Sequence, residues 1–171
     1  MTRILGIDPG SQITGYGIID LVDNRSRYQE SGCIRTPSER PLVDRLKIIF
    51  ESVSHVIALY RPDEMAIEQV FMHRNPDSAL KLGQARGVAI CAGAMANLPV
   101  SEYAPRIIKQ AVAGNGGAGK EQIQYMVCAL LNLQHPPQAD AADALAVALC
   151  HGHTMQTLGR LGGETAGWRR R

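Results

Sequence analysis

Aromatic side chains are scarce, at 5% of the 171 residues, and charged ones make up only 20%. The four cysteines, Cys33, Cys91, Cys128 and Cys150, lie far apart and form no C-x-x-C pair. That scatter argues against a zinc site or a disulfide framework and for small core hydrophobes in a reducing cytoplasm. No apolar run is long enough to span a bilayer, and there is no collagen-like period and no long low-complexity block. Met1-Thr2-Arg3 leads straight into an apolar run, without the pattern of a secretory leader. The expectation is a cytoplasmic chain with no membrane partner. A strong overall field is also missing. Arg160, Arg169, Arg170 and Arg171 against Glu164 give the last twelve residues +3, so the remaining body is −1 against a chain total of +2. A nucleic-acid partner has to be met by a local basic surface and not by bulk charge.

What remains is an ordinary globular composition, 45% apolar. The length suits one domain and buries a core without staples. Residues 3–8, 14–21 and 27–36 read as three strands joined by the Pro9-Gly10 and Asp23-Asn24 turns, an antiparallel meander. After Pro41, Leu42, Leu46, Ile49, Phe50, Val53 and Ile57 recur at helical spacing. A short strand over 64–68 follows, and the helix before it implies parallel pairing with a meander strand. Residues 78–98 read as a helix rich in Gly and Ala, able to approach a neighbour closely within the domain or in another subunit. A fifth strand spans 100–103, with helices over 106–113, 120–131 and from 139 to about His151. The order predicts an α/β fold, a mixed five-stranded sheet with helices on both faces. The domain is expected over 1–153, followed by a flexible basic tail over 154–171.

Two of the strands end in a carboxylate. The apolar run Ile4-Leu5-Gly6-Ile7 closes on Asp8, and the run 64–68 closes on Glu68. Carboxyl ends of strands in open α/β sheets are where ligands and reactions sit. Asp8 alone reads equally well as the start of an Asp-Pro-Gly turn. Asp140 and Asp143 stand three apart on an otherwise aliphatic helix and so share a face. Asp140 could simply offset a helix dipole, a reading that is weaker for Asp143, and Glu68 could simply reach solvent. Taken together, four carboxylates facing one region repel or hold protons unless a cation compensates them. Hard divalent cations such as magnesium take oxygen ligands, and two of them about 4 Å apart clamp both sides of a phosphodiester displacement.

The loop 114–121, GNGGAGKE, matches G-x-x-x-x-G-K but puts Glu121 where a nucleotide loop needs Ser or Thr, and it follows a helix, not a strand. It reads as a mobile glycine-rich loop that brings Lys120 to a nucleic-acid phosphate, or as a surface lysine. Phe71, beside His73, Arg74 and Asn75, could stack on an unpaired base or pack under its own loop. Lys81, Arg86, Arg106 and Lys109 are equally phosphate contacts or solvated charges. His151 and His153, two apart, are poorly spaced as ligands on one helical face and read as surface or auxiliary groups.

Assembled in order, these stretches resemble the bacterial RuvC Holliday-junction resolvases. The matching segments are Gly6-Ile7-Asp8-Pro9-Gly10-Ser11, Thr14-Gly15-Tyr16-Gly17, Ser31-Gly32-Cys33-Ile34-Arg35-Thr36 and Ala66-Ile67-Glu68-Gln69-Val70-Phe71. Asn75 with residues 78–87, Lys109-Gln110 and residues 137–146 complete the set, so the likeness runs from residue 3 to about 153. The resemblance implies an RNase H-like fold and a homodimer in which each subunit nicks one of two like strands of a four-way DNA junction. It implies that Asp8, Glu68, Asp140 and Asp143 are catalytic metal ligands for Mg2+, two ions per site, with Mn2+ as a substitute. Asp8 would bridge both metals, and the products would carry a 5′-phosphate and a 3′-hydroxyl. It further implies Phe71 stacking near the opened junction, Lys109 and Lys120 on the scissile strand, short T-rich cleavage sites, and the RuvA–RuvB branch-migration complex as partner.

Two other classes compete. An actin-like or sugar-kinase-like ATPase half-domain also opens with a strand ending in Asp and a Gly turn, but 171 residues leave no room for the second lobe, and no second glycine-rich phosphate turn is present. A non-catalytic junction binder would need the basic residues and not the carboxylates.

Overall fold

A computed structural model of the chain describes residues 1–71 and 75–160. β1 (Thr2–Asp8), β2 (Ile13–Val22) and β3 (Arg25–Arg35) form the expected meander. The β2–β3 turn is two residues long, because Val22 pairs with Arg25. Asp23 and Asn24 both adopt positive φ, 49° and 60°, as a tight turn matched to strand twist requires. α1 (Leu42–Tyr60) crosses to β4 (Glu64–Glu68), which pairs parallel with β1. α2 (Pro76–Met95) crosses to β5 (Val100–Tyr103), parallel to β4. α3 (Pro105–Ala113), α4 (Lys120–Leu131) and α5 (Ala139–Arg160) complete the order. The sheet runs β3-β2-β1-β4-β5, the mixed five-stranded arrangement of the RNase H-like fold.

Strand alternation divides the core into two layers. Leu5, Ile7, Ile18, Met65 and Ile67 point to one face, under Ile49 and Val53 of α1 and Ala85 and Ala89 of α2. Ile4, Ile19 and Ala66 point to the other, under α5 and the α3–α4 pair. α5 is covered by the sheet on one side and by α3 and α4 on the other. Between Ala141 and Cys150 every residue except Asp143 is buried. A helix enclosed in this way reads as apolar all round, and Asp143 is the polar exception inside it.

Glycines in β1 and β2 let α5 lie this close. A Cβ on Gly15 would run into the Asp140 carbonyl, and one on Gly6 into the Ala144 carbonyl. The chain thus presses the first turns of α5, with both aspartates, against the end of the sheet where β1 finishes.

α5 runs to Arg160, past the end near His151 expected from sequence. Thr154 and Thr157 donate their hydroxyls to the carbonyls of Cys150 and His153, at 2.9 Å each, and Met155 packs on the core. Residues 154–160 are therefore helix and not a flexible tail, and the rest of the expected tail, 161–171, lies outside the described residues.

Candidate active site

Register places the first two carboxylates. Ile7 pairs with Ile67, so the residues that follow, Asp8 and Glu68, leave the sheet side by side at its carboxyl edge. Asp140 and Asp143 arrive from above on α5. All four are half-buried, and each of the other three carboxylates acts on Asp8. The condition set by the sequence, that Asp8 and Glu68 share one end of the sheet, is met.

The electrostatic cost of this gathering is visible. Burial first, then repulsion from Glu68, Asp143 and Asp140, pushes Asp8 up to about 8, and its carboxyl hydrogen-bonds to Glu68. Glu68 is also raised, by burial and by Asp143, against relief from the Asp8 hydrogen bond, Lys109 and Lys120. Lys120 places Nζ 3.0 Å from Asp143 Oδ2, and that carboxylate raises the lysine further above its usual value. A proton on Asp8 and an ammonium on Asp143 therefore stand where compensating positive charge is required. Among the described residues no three His, Cys, Asp or Glu side chains already stand in metal-ligand geometry, which fits an acidic cluster closed by its own proton and lysine. The donor set is all oxygen and its deficit is positive charge, so the residues suit a hard divalent cation.

A cleft of about 230 Å³ opens on the cluster. Glu68, Asp143, Lys109 and Lys120 line it, together with the apolar Ile108 and Ile123. α3 supplies Lys109, and α4 begins at Lys120. The glycine-rich segment before Lys120 is built as a turn and not as the loose loop expected from composition. Gly114 caps α3 at φ 70°. The Gln110 amide donates to the Gly114 carbonyl at 2.8 Å and accepts from the Gly116 amide at 3.1 Å. Ala118 is buried in the core.

The other expected contacts are distributed unevenly. Phe71 is 57% exposed three residues beyond Glu68. Lys81 is ion-paired with Asp77 at 2.6 Å, one turn away on α2. Arg86 is turned inward: it donates Nε to the Glu68 carbonyl oxygen at 3.1 Å and pairs with Glu102, so it braces the strand end that carries Glu68. Arg74 and His73 lie outside the described residues.

Two buried polar residues were not legible in advance. Arg45 is 7% exposed and donates to the Ser11 carbonyl and the Thr36 hydroxyl, pinning the turn that follows Asp8. Its position one turn before Ile49 in the buried stripe of α1 is the signal that could have found it. His151, expected at the surface, is 3% exposed. Neighbours on β4 and β5 bury it, and helical spacing alone could not show them.

Comparison with known proteins agrees with this geometry. The family model described as crossover junction endodeoxyribonuclease RuvC matches residues 4–151. The RuvC of Tolumonas auensis is 61% identical over 167 residues, covering 98% of this chain and 96% of that protein. The RuvC of Aeromonas hydrophila is 60% identical over 167 residues, covering 98% and 96%. Among solved structures, T. thermophilus RuvC in complex with a Holliday junction substrate superposes with a TM-score of 0.86 at 33% identity, covering 92% of this chain and 96% of that one. A strand-end Asp and Glu level with one another, two helix aspartates pressed onto them through Gly15 and Gly6, and a match spanning nearly the whole chain place it in the RuvC family of crossover junction endodeoxyribonucleases.

Proposed function

We propose that the chain is a divalent-metal-dependent endonuclease that cuts four-way DNA junctions, acting in recombination and repair in the cytoplasm. The observation that carries this reading is that Glu68, Asp140 and Asp143 all act on the half-buried Asp8, beside a cleft lined by Glu68, Asp143, Lys109 and Lys120. The four carboxylates would hold Mg2+, two ions per site, with Mn2+ able to substitute. When bound, such ions supply Lewis acidity to both sides of the scissile phosphodiester.

The chain's own groups do the rest. Asp8 gives up its proton and Lys120 its hold on Asp143 as the site loads. The freed Lys120 ammonium, with Lys109 opposite, binds the scissile-strand phosphates on either side of the cleft. Ile108 and Ile123 give the cleft dry sides, which strengthen these charge interactions. Cleavage leaves a 5′-phosphate and a 3′-hydroxyl. Phe71, exposed three residues beyond Glu68, stacks on a base unpaired at the junction, a contact that tolerates any base.

Paired nicks need two copies. The outward face of α2 supports a homodimer: Leu80 is 69% exposed, and Gly83 and Gly87 one and two turns on face open space. A branch-migration complex of the RuvA–RuvB kind is the expected partner, carried by family membership.

The test offers the protein a synthetic four-way junction and a linear duplex of the same sequence, with magnesium or chelator. Symmetric nicks on the junction alone, in magnesium alone, are expected. Asp8→Asn should abolish cleavage and leave junction binding intact. Cleavage by Asp8→Asn at the wild-type rate, or ATP hydrolysis without DNA cleavage by the wild type, would overturn the reading.

A further inference from the structure

The aliphatic body of α5 lies on an aliphatic sheet face, and contacts of that kind are non-directional. They hold the helix down without fixing how far along the sheet it sits. Midway along α5, eight residues beyond Asp143, a buried polar group does have direction. His151 Nε2 lies 2.9 Å from Glu64 Oε2 on β4. His151 Nδ1 lies 2.7 Å from the Tyr103 hydroxyl on β5, and the two rings meet edge to face at 5.7 Å. Both ring nitrogens are engaged, Nε2 by the Glu64 carboxylate and Nδ1 by the Tyr103 hydroxyl.

The spacing of this network relates it to the site. Glu64, Ala66 and Glu68 alternate onto the face of β4 that α5 covers, and Glu64 is four residues from Glu68, about 13 Å along a strand. His151 is eight residues from Asp143, about 12 Å along a helix. The two elements run in opposite directions, with Glu68 and Asp143 at one end lining the same cleft and Glu64 and His151 bonded at the other. Matched spacers joined at one end hold their other ends in opposition. Sliding α5 by a turn would strand the buried His151 imidazole away from both groups that it now bonds, a costly outcome.

We propose that His151, held between Glu64 and Tyr103, is a positioning residue that sets where α5 sits along β4, and with it the distance from Asp143 to Glu68 at which a divalent cation is held. The inference rests on the metal-site reading above.

Mn2+ alone, titrated calorimetrically into the full-length protein without DNA, reads the effect directly. His151→Leu is expected to weaken Mn2+ binding about tenfold, the size of effect seen when groups that orient metal ligands are lost. Tyr103→Phe, which removes a single oxygen atom and keeps the ring packing, should move the affinity the same way by less. Glu64→Gln keeps an acceptor for Nε2 and should bind Mn2+ like the wild type. Val53→Ala, in the opposite core layer, should lower the melting temperature and leave Mn2+ affinity unchanged. Unchanged affinity in Tyr103→Phe and in a folded His151→Leu would overturn the proposal, as would an equal loss in Val53→Ala. If His151→Leu does not fold, Tyr103→Phe decides alone. A wild-type protein that binds Mn2+ no better than Asp8→Asn would instead overturn the metal-site reading, which separates the two failures.

Discussion

Asp8 is the residue at which function opposes stability. Its carboxyl is moved from an ordinary value near 3.8 to about 8, by burial and then by three neighbouring carboxylates. A carboxyl raised on folding binds its proton more tightly in the folded chain. In chelator, the stability of the protein therefore falls as pH rises from about 4 through about 8 and levels off above, once both states are ionised. Asp8→Asn keeps the shape and never ionises. Melting curves in chelator should nearly coincide with the wild type at pH 5, and the variant should be more stable by roughly 1–3 kcal/mol at pH 9. A wild-type advantage at pH 9 would contradict the electrostatic account. Its own motif leaves Asp8 evenly balanced between turn former and site residue, and in the sequence it is Glu68, Asp140 and Asp143, taken with it, that favour a cation site. The β1–β4 register sets Asp8 beside Glu68. Pro9 and Gly10 keep the turn role, with the Thr14 hydroxyl donating to the Gly10 carbonyl at 2.8 Å.

At the scale of elements, the site depends on how closely α5 can approach the sheet. Gly15→Ala inserts a methyl group against the Asp140 carbonyl, where a backbone and not a flexible side chain has to yield. Overpacking of this kind costs roughly 1–3 kcal/mol, and it displaces the helix turn that carries two of the four carboxylates. The variant should fold with a lower melting temperature and lose cleavage by more than tenfold at saturating junction. Wild-type cleavage by a destabilised Gly15→Ala would show that the site tolerates a shift of α5. Elements bounded by sequence punctuation were readable: β4 between Asp63 and Gln69, and α4 from Lys120 to Leu131, fall where periodicity and the flanking turn residues put them. Features created by other elements were not. The helix beyond His151, the burial of His151 itself, the inward turn of Arg86 and the ordering of 114–119 by Gln110 all depend on partners distant in sequence or on side-chain geometry that composition does not encode.

For the molecule as a whole, one chain supplies one set of four carboxylates, whereas resolving a four-way junction takes two cuts. In the proposed homodimer a second copy would supply the second set, and the outer face of α2 is the surface proposed for its docking. The inner face of this helix, Ala85, Ala89 and Ala92, is spent on the core against α1 and the sheet. The outer face carries Leu80, Gly83, Gly87 and Cys91 at spacings of three and four, one continuous stripe of small and apolar groups open to solvent. Two such stripes crossing through their glycines would bring backbones close and bury Leu80 in each copy. Leu80→Glu puts a charge in that contact, and desolvating a carboxylate there is unfavourable. Light scattering should find the wild type at twice the mass of one chain and Leu80→Glu at the mass of one. The site lies outside the stripe, so a monomeric variant should still bind Mn2+ like the wild type. Its junction products should change from paired, symmetric nicks to single unpaired ones. A Leu80→Glu protein that stays dimeric and nicks in pairs would place the interface elsewhere on the chain.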